Sequence, residues 1–166
     1  MIRCFRLPLL LLVSLAVSAC ASGPRFDWAG VDRDLQPATA VAQIEQRRGE
    51  PVVWGGTIVQ TRNLEDATRL EILAYPLGSQ QRPLTERPAQ GRFLVDYPGY
   101  LEPTAYAAGR LVTVSGRLVE QHTGQVGEAR YRYPLLAGEG LHLWPRQAQA
   151  ARQPRVSLGV GITLGR

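Results

Sequence analysis

Two apolar, β-branched runs carry glycine at their centres instead of at their ends. Residues 52–61 read VVWGGTIVQT, with Gly55-Gly56 in the middle, and residues 110–121 read RLVTVSGRLVEQ, with Gly116 in the middle. Glycine inside a strand has no side chain to pack and adds backbone freedom to be lost on folding. It is kept where a strand bends sharply or another backbone comes too close for a Cβ. A sheet that closes on itself has that need, because its strands tilt and coil around an axis. The other runs agree with strands. TRLEILAYPL (68–77) alternates, with Leu70, Ile72 and Ala74 on one face and Arg69, Glu71, Leu73 and Tyr75 on the other. RFLVDY (92–97) is a short strand. ARYRYPLL (129–136) and LHLWP (141–145) are expected to pair with each other around Gly138 and Gly140.

The connections carry their own signals. Residues 37–48 read as a short helix: Pro37 suits a first turn, Val41 and Ile44 are spaced by three, Arg47 and Arg48 sit in the last turn, and Gly49 fits the position just after it. Asn63 opens a polar turn, residues 78–91 form a long polar loop with Pro83 and Pro88, and HTGQVGE (122–128) turns the chain. Pro103 and Gly109 bracket a second expected short helix in residues 100–109. The class is therefore all-β with one or two short helices. Five or six strands with a helix between the third and fourth match the order of a small OB-like Greek-key β-barrel. The competing arrangement is a two-sheet β-sandwich.

The front end is of a different kind. Arg3 and Arg6 precede an apolar stretch from Leu7 to Val17, broken only by Pro8 and Ser14, and the residues that follow are small. That is the layout of a secretory signal peptide over residues 1–19. A bilayer-spanning helix needs about 20 apolar residues, roughly twice what is present. Val17-Ser18-Ala19-Cys20 resembles a bacterial lipobox, in which small residues give a protease and a lipid donor access to a nucleophilic thiol. The resemblance implies a diacylglyceryl thioether on Cys20, cleavage before it and an acyl chain on the new amine, an anchor of negligible release. Ala21, standing where retention in the inner membrane commonly uses Asp, implies the outer membrane. The competing account is ordinary cleavage at an A-x-A-like site with Cys20 incidental. Residues 20–36 then read as a tether, 37–145 as the β domain, and 146–166 as a flexible or strand-like Gly-rich tail.

Composition bounds the rest. The chain has 166 residues and a net charge of +5, which falls to +3 once Arg3 and Arg6 leave with the signal. All 19 basic residues are arginine. Arginine forks suit phosphate and carboxylate, so an anionic surface such as lipopolysaccharide is a conceivable partner; codon bias gives the same pattern. Cys4 leaves with the signal and Cys20 is consumed by lipid. The mature chain then has no disulfide, although export would permit one, and must stand on its core.

Several motifs occur together and in order: Trp54-Gly55-Gly56, Tyr75-Pro76-Leu77, Tyr106 before Gly109-Arg110, and Leu143-Trp144-Pro145. In these, over about residues 49–145, the chain resembles the Slp family, the starvation-inducible outer-membrane lipoproteins of Gram-negative bacteria. The tail after Arg146 lies outside that resemblance. Membership implies an outer-membrane anchor, a periplasm-facing domain and a link to stationary-phase or stress physiology. It implies no ligand and no activity.

The residues that carry chemistry are sparse. His122 and His142 are the only histidines, and a zinc site wants three or four ligands, so no metal or cofactor is expected. The acids Glu65, Asp66, Asp96, Glu102, Glu120, Glu128 and Glu139 scatter over turns and strand exteriors. A hydrolase would need at least two of His122, His142, Glu120, Glu128 and Asp96 in one cleft; the expectation is that the chain is not an enzyme. The aromatics Trp54, Tyr75, Tyr97, Tyr100, Tyr106 and Trp144, with Tyr131 and Tyr133 and nearby arginines, are the candidate ligand-binding set, as a stacking platform for glycan or lipid headgroup; filling the core is their competing role. GVGITLG (159–165) has the wrong spacing for a dinucleotide loop and reads as an alternating ribbon able to add to a sheet edge. The partners expected are outer-membrane lipid and another envelope protein, with no nucleic acid.

Overall fold

The computed structural model describes residues 26–146. The signal, Cys20 and residues 147–166 lie outside them. A single α-helical turn, α1 (Pro37–Ala40), continues into a 3₁₀ turn (Val41–Gln43). Five strands follow: β1 (Pro51–Asn63), β2 (Ala67–Tyr75), β3 (Arg92–Pro98), β4 (Leu111–Val126) and β5 (Ala129–Leu143). They close into a barrel in the order β1-β2-β3-β5-β4, with β4 pairing back onto β1. Every pair is antiparallel except β3 with β5. This is the OB-type Greek-key barrel, and closure removes the sandwich.

The alternation read from β2 holds. Thr68, Leu70, Ile72 and Ala74 are inside, each at most 1 % exposed. Val52, Trp54 and Ile58 of β1, Phe93 and Val95 of β3, Val112, Val114 and Leu118 of β4 and Leu136 of β5 complete the core. The mid-strand glycines mark close crossings. A Cβ on Gly56 would run into the Leu73 carbonyl, and one on Gly116 into the Ala137 carbonyl. Register shifts between Ile58 and Gln60, Ser115 and Gly116, and Leu118 and Glu120 add the local bends that a tight barrel requires.

Several expectations are corrected. Residues 129–136 and 141–145 do not pair with each other: 129–143 is one strand, bonded along its length to β4. Gly138 and Gly140 are crossings, not a turn, lying against Val95 and Tyr97 and under the Phe26 ring respectively. Residues 122–126 do not turn the chain. They stay paired with 129–133, and the reversal comes at Gly127, which supplies the positive φ (+60). No helix forms in residues 100–109. The segment is a series of turns, because Thr61 Oγ1 and Arg110 NH1 donate to the carbonyls of Tyr106 and Ala105 (both 2.7 Å). The helix of residues 37–48 is shorter than expected, although Gly49 does take positive φ (+82). Of the tether expected over 20–36, residues 26–36 lie against the barrel. Leu35 is in the core, and its carbonyl accepts the Trp54 indole N–H at 2.8 Å.

If closure depends on these crossings, Gly56→Ala costs more than about 4 kcal/mol or blocks folding. Gly99→Ala, at φ +83 with nothing within 4 Å, costs only the left-handed strain of about 1–2 kcal/mol. Urea denaturation of the two variants checks this; equal midpoints would contradict it.

Candidate functional site

The alternation that buries Leu70 and Ile72 turns Arg69 and Glu71 of β2 outward, beside Leu94 and Asp96 of β3. Beyond the irregularity at Leu118/Glu120 the β4–β5 hairpin bends over this face. Tyr133, Leu135 and Leu94 form a second small apolar cluster outside the barrel, with Val126 and Tyr131 at its edge. The Tyr131 and Tyr133 rings lie 4.6 Å apart, and the Tyr131 hydroxyl accepts the Arg92 backbone N–H at 2.9 Å. The hairpin is thereby fastened, and a cleft of about 220 Å³ opens between it and the end of β1.

Paired charges build the floor. Arg69 meets Asp96 directly across the β2–β3 ladder in a two-point fork, Nε and NH2 each 2.6 Å from a carboxylate oxygen. Arg92 donates to Glu71 Oε1 at 2.6 Å, and the Tyr133 hydroxyl donates to the same oxygen at 3.3 Å. Gln60, His122 and Gln125 add polar walls. Arg62 is the exposed guanidinium on the rim and makes no ion pair among the described residues. Such a lining suits a polar, hydrogen-bonding ligand, with Arg62 placed to favour negative charge.

The candidate aromatics are not gathered into one platform. Trp54 and Trp144 are each 6 % exposed. Trp54 stands edge-on to Phe93, and the Trp144 indole donates to Thr113 Oγ1 at 2.9 Å. Tyr97 and Tyr106 pack against the core. Tyr75 and Trp54 together line a separate recess with Trp28 and Arg33, the one recess among the described residues where two of the six meet, and Tyr100, 68 % exposed, stands apart. None of the six lines the cleft, where Tyr133 takes the place expected of them. The catalytic set is dispersed as well. His122 is in the cleft, Glu120 lines a different recess with Gln121 and Arg132, His142 stands edge-on to Trp144, Glu128 sits at the hairpin tip, and Asp96 is taken by Arg69. Among the described residues no group of three or more His, Cys, Asp or Glu converges as metal ligands do. Cys20 lies outside the described residues.

Burial, with the Glu71 charge and hydrogen bond, pushes the Tyr133 phenol up to about 12 from an ordinary 10.0. The unfolded chain gives up this proton near pH 10, whereas the folded one holds it. Stability is therefore unaffected below pH 10 and falls as the pH rises from 10 towards 12. Ultraviolet titration should show a tyrosine step near 12 that is absent in Tyr133→Phe, and that variant should lose less stability over the same interval. A wild-type titration complete by pH 11 would contradict the burial of this hydroxyl beside a carboxylate.

Comparison with known proteins places this barrel. The profile of the outer membrane lipoprotein Slp family matches residues 17–160. The match starts at Val17 and runs past Pro145, so residues 147–160, expected to fall outside the resemblance, are within it. The chain is 33 % identical to the lipoprotein YeaY of Escherichia coli (strain K12) over 107 residues, 64 % of this chain and 55 % of that protein. It is 34 % identical to a Haemophilus influenzae protein over 91 residues, 54 % of this chain and 49 % of the other. Against the outer membrane protein Slp of Escherichia coli (strain K12) the identity is 27 % over 138 residues, 82 % of this chain and 73 % of Slp. The chain thus spans about half the length of the first two. Among solved structures it is similar to a small single-stranded DNA-binding protein from Streptomyces coelicolor, with a TM-score of 0.37 and 17 % identity, covering 57 % of this chain and 94 % of that one; the strand order itself, not this likeness, defines the fold. With the family profile spanning the barrel and its flanks, the chain belongs to the outer membrane lipoprotein Slp family.

Proposed function

We propose that Cys20 carries the acyl anchor, that it holds the barrel on the periplasmic side of the outer membrane, and that the barrel works there by binding or scaffolding in envelope integrity under stress, without turnover. The observation that carries the binding reading is the floor of the cleft. Its one carboxylate, Glu71, is held by Arg92 at 2.6 Å, and its lining guanidinium Arg69 is held by the neighbouring Asp96 at 2.6 Å, so the floor offers fixed, paired charges beside polar side chains. The lipobox supports the anchor, and the family match beginning at Val17 takes the lipobox in.

A second reading has the cleft hold a small polar ligand or glycan. The polar lining from Gln60, Arg62, His122 and Gln125 favours it.

The anchor is tested in cells. Wild-type protein should incorporate radioactive palmitate and accumulate as precursor when globomycin is added, and Cys20→Ser should take up no label. Processing indifferent to globomycin, with no label on the wild type, would end the reading. The scaffold is tested by placing a photocrosslinker at position 125 or at position 86. Capture of one envelope protein from position 125 alone supports a partner on the cleft, and capture from neither leaves the small-ligand reading in its place.

A further inference from the structure

Beside the place where Phe26 meets the barrel, three arginines gather around Trp144. Arg82, Arg110 and Arg146 line a recess of about 350 Å³ whose wall holds no carboxylate among the described residues. Arg110 donates NH1 to the Ala105 carbonyl (2.7 Å) and NH2 to the Trp144 carbonyl (3.0 Å), while its Nε is buried without a partner. Its positive charge rests on neutral dipoles. The Arg82 guanidinium lies 5.1 Å from the centre of the Trp144 ring. Among the described residues, this end of the barrel therefore carries positive charge that no carboxylate neutralises.

The chain is fastened at the same place on its way in. The Phe26 backbone N–H donates to Gln81 Oε1 at 2.7 Å, and Gln81 Nε2 donates back to the Phe26 carbonyl at 2.8 Å. The Gln81 carbonyl accepts Thr113 Oγ1 at 2.6 Å, and that hydroxyl accepts the Trp144 indole. One run of hydrogen bonds thus joins Phe26 to Trp144, and Arg82 follows Gln81 directly. Cys20 stands six residues before Phe26, about 20 Å of chain at full stretch.

We propose that this arginine-rich end is the surface that rests on the bilayer, with Arg82 and Arg146 engaging phosphate headgroups of the leaflet that holds the acyl chains. The proposal rests on the reading of Cys20 as the anchor. So short a lead, fixed at Phe26, keeps the neighbourhood of Gln81 and Arg82 close to the headgroups, where an anionic surface attracts within a Debye length of about 8 Å. Guanidinium forks match phosphate oxygens in pairs. The cleft under the β4–β5 hairpin shares no lining residue with this recess, so contact with lipid leaves it accessible.

The test removes the anchor and keeps the surface. The mature-length chain carrying Cys20→Ser is floated with vesicles of phosphatidylethanolamine and phosphatidylglycerol, and separately with phosphatidylcholine vesicles. Binding to the anionic vesicles alone is expected. It should weaken about thirtyfold in Arg82→Gln/Arg146→Gln, persist in Arg82→Lys, and persist in Arg130→Gln/Arg132→Gln, which alters the hairpin instead. Circular dichroism melts establish that each variant is folded. Equal losses in both double variants, or none in either, would overturn the proposal. Calorimetric binding of inorganic phosphate without vesicle binding would assign the cluster to a soluble anion and overturn the lipid surface. Vesicle binding that depends on Arg82 and Arg146 in a chain that takes no palmitate in cells would support the surface while sinking the anchor.

Discussion

The barrel closes through a short parallel contact, in which Leu94, Val95 and Asp96 of β3 meet Leu135, Leu136 and Ala137 of β5. For those few pairs to form, β1 and β4 must curl far enough to bring the last strand beside the third. The curl is possible because Gly56 and Gly116 present bare backbone to the carbonyls of Leu73 and Ala137. The burial of Phe93, Leu70 and Leu136 in one interior follows from closure. The bend of the β4–β5 hairpin follows as well, and with it the cleft. A side chain at either crossing would separate the strands and expose the core that holds the rest.

Polar contacts then fix what the core leaves free. Gln81 sits at φ +61, a left-handed conformation that a side-chain-bearing residue adopts at a cost on the order of 1–3 kcal/mol. It is held there because four hydrogen bonds converge on the residue: its side chain grips both main-chain groups of Phe26, its carbonyl accepts from Thr113, and its N–H donates to Gly78. At about 1 kcal/mol net for each bond, the set outweighs the strain. The Arg69–Asp96 and Arg92–Glu71 pairs do similar work under the hairpin. They are half-buried, where a pair matters more through the cost of leaving one partner alone than through its own attraction.

Much of this was legible in order along the chain. The alternation of β2, the glycines of β1 and β4 and the positive φ of Gly49 are local signals, and each appears where its residue type predicts, although the helix that Gly49 was expected to cap ends at Gln43. The errors have one cause. Gly138 and Gly140 look like a turn when only neighbours in sequence are considered; their real partners, Val95 and Phe26, are far away in the chain. Residues 26–36 look like a tether because nothing nearby reveals that Gln81, 55 residues on, grips Phe26. Residues 100–109 have helix punctuation, but Thr61 and Arg110 claim the carbonyls. The cleft was half-visible. The alternating Arg130-Tyr131-Arg132-Tyr133 run marks a strand with a polar and an aromatic face, yet only the bend of the hairpin brings Tyr133 over Glu71.

A barrel that stands without disulfides, a lead fixed to its wall and a cysteine six residues upstream make one coherent envelope protein. Everything functional in that account depends on what happens at Cys20 during export. Intact-mass spectrometry of the protein extracted from outer-membrane fractions reads it directly. The account predicts a chain that starts at Cys20 and carries the added mass of a diacylglyceryl group and an amide-linked acyl chain. A chain that starts elsewhere, or starts at Cys20 with its bare mass, would contradict it.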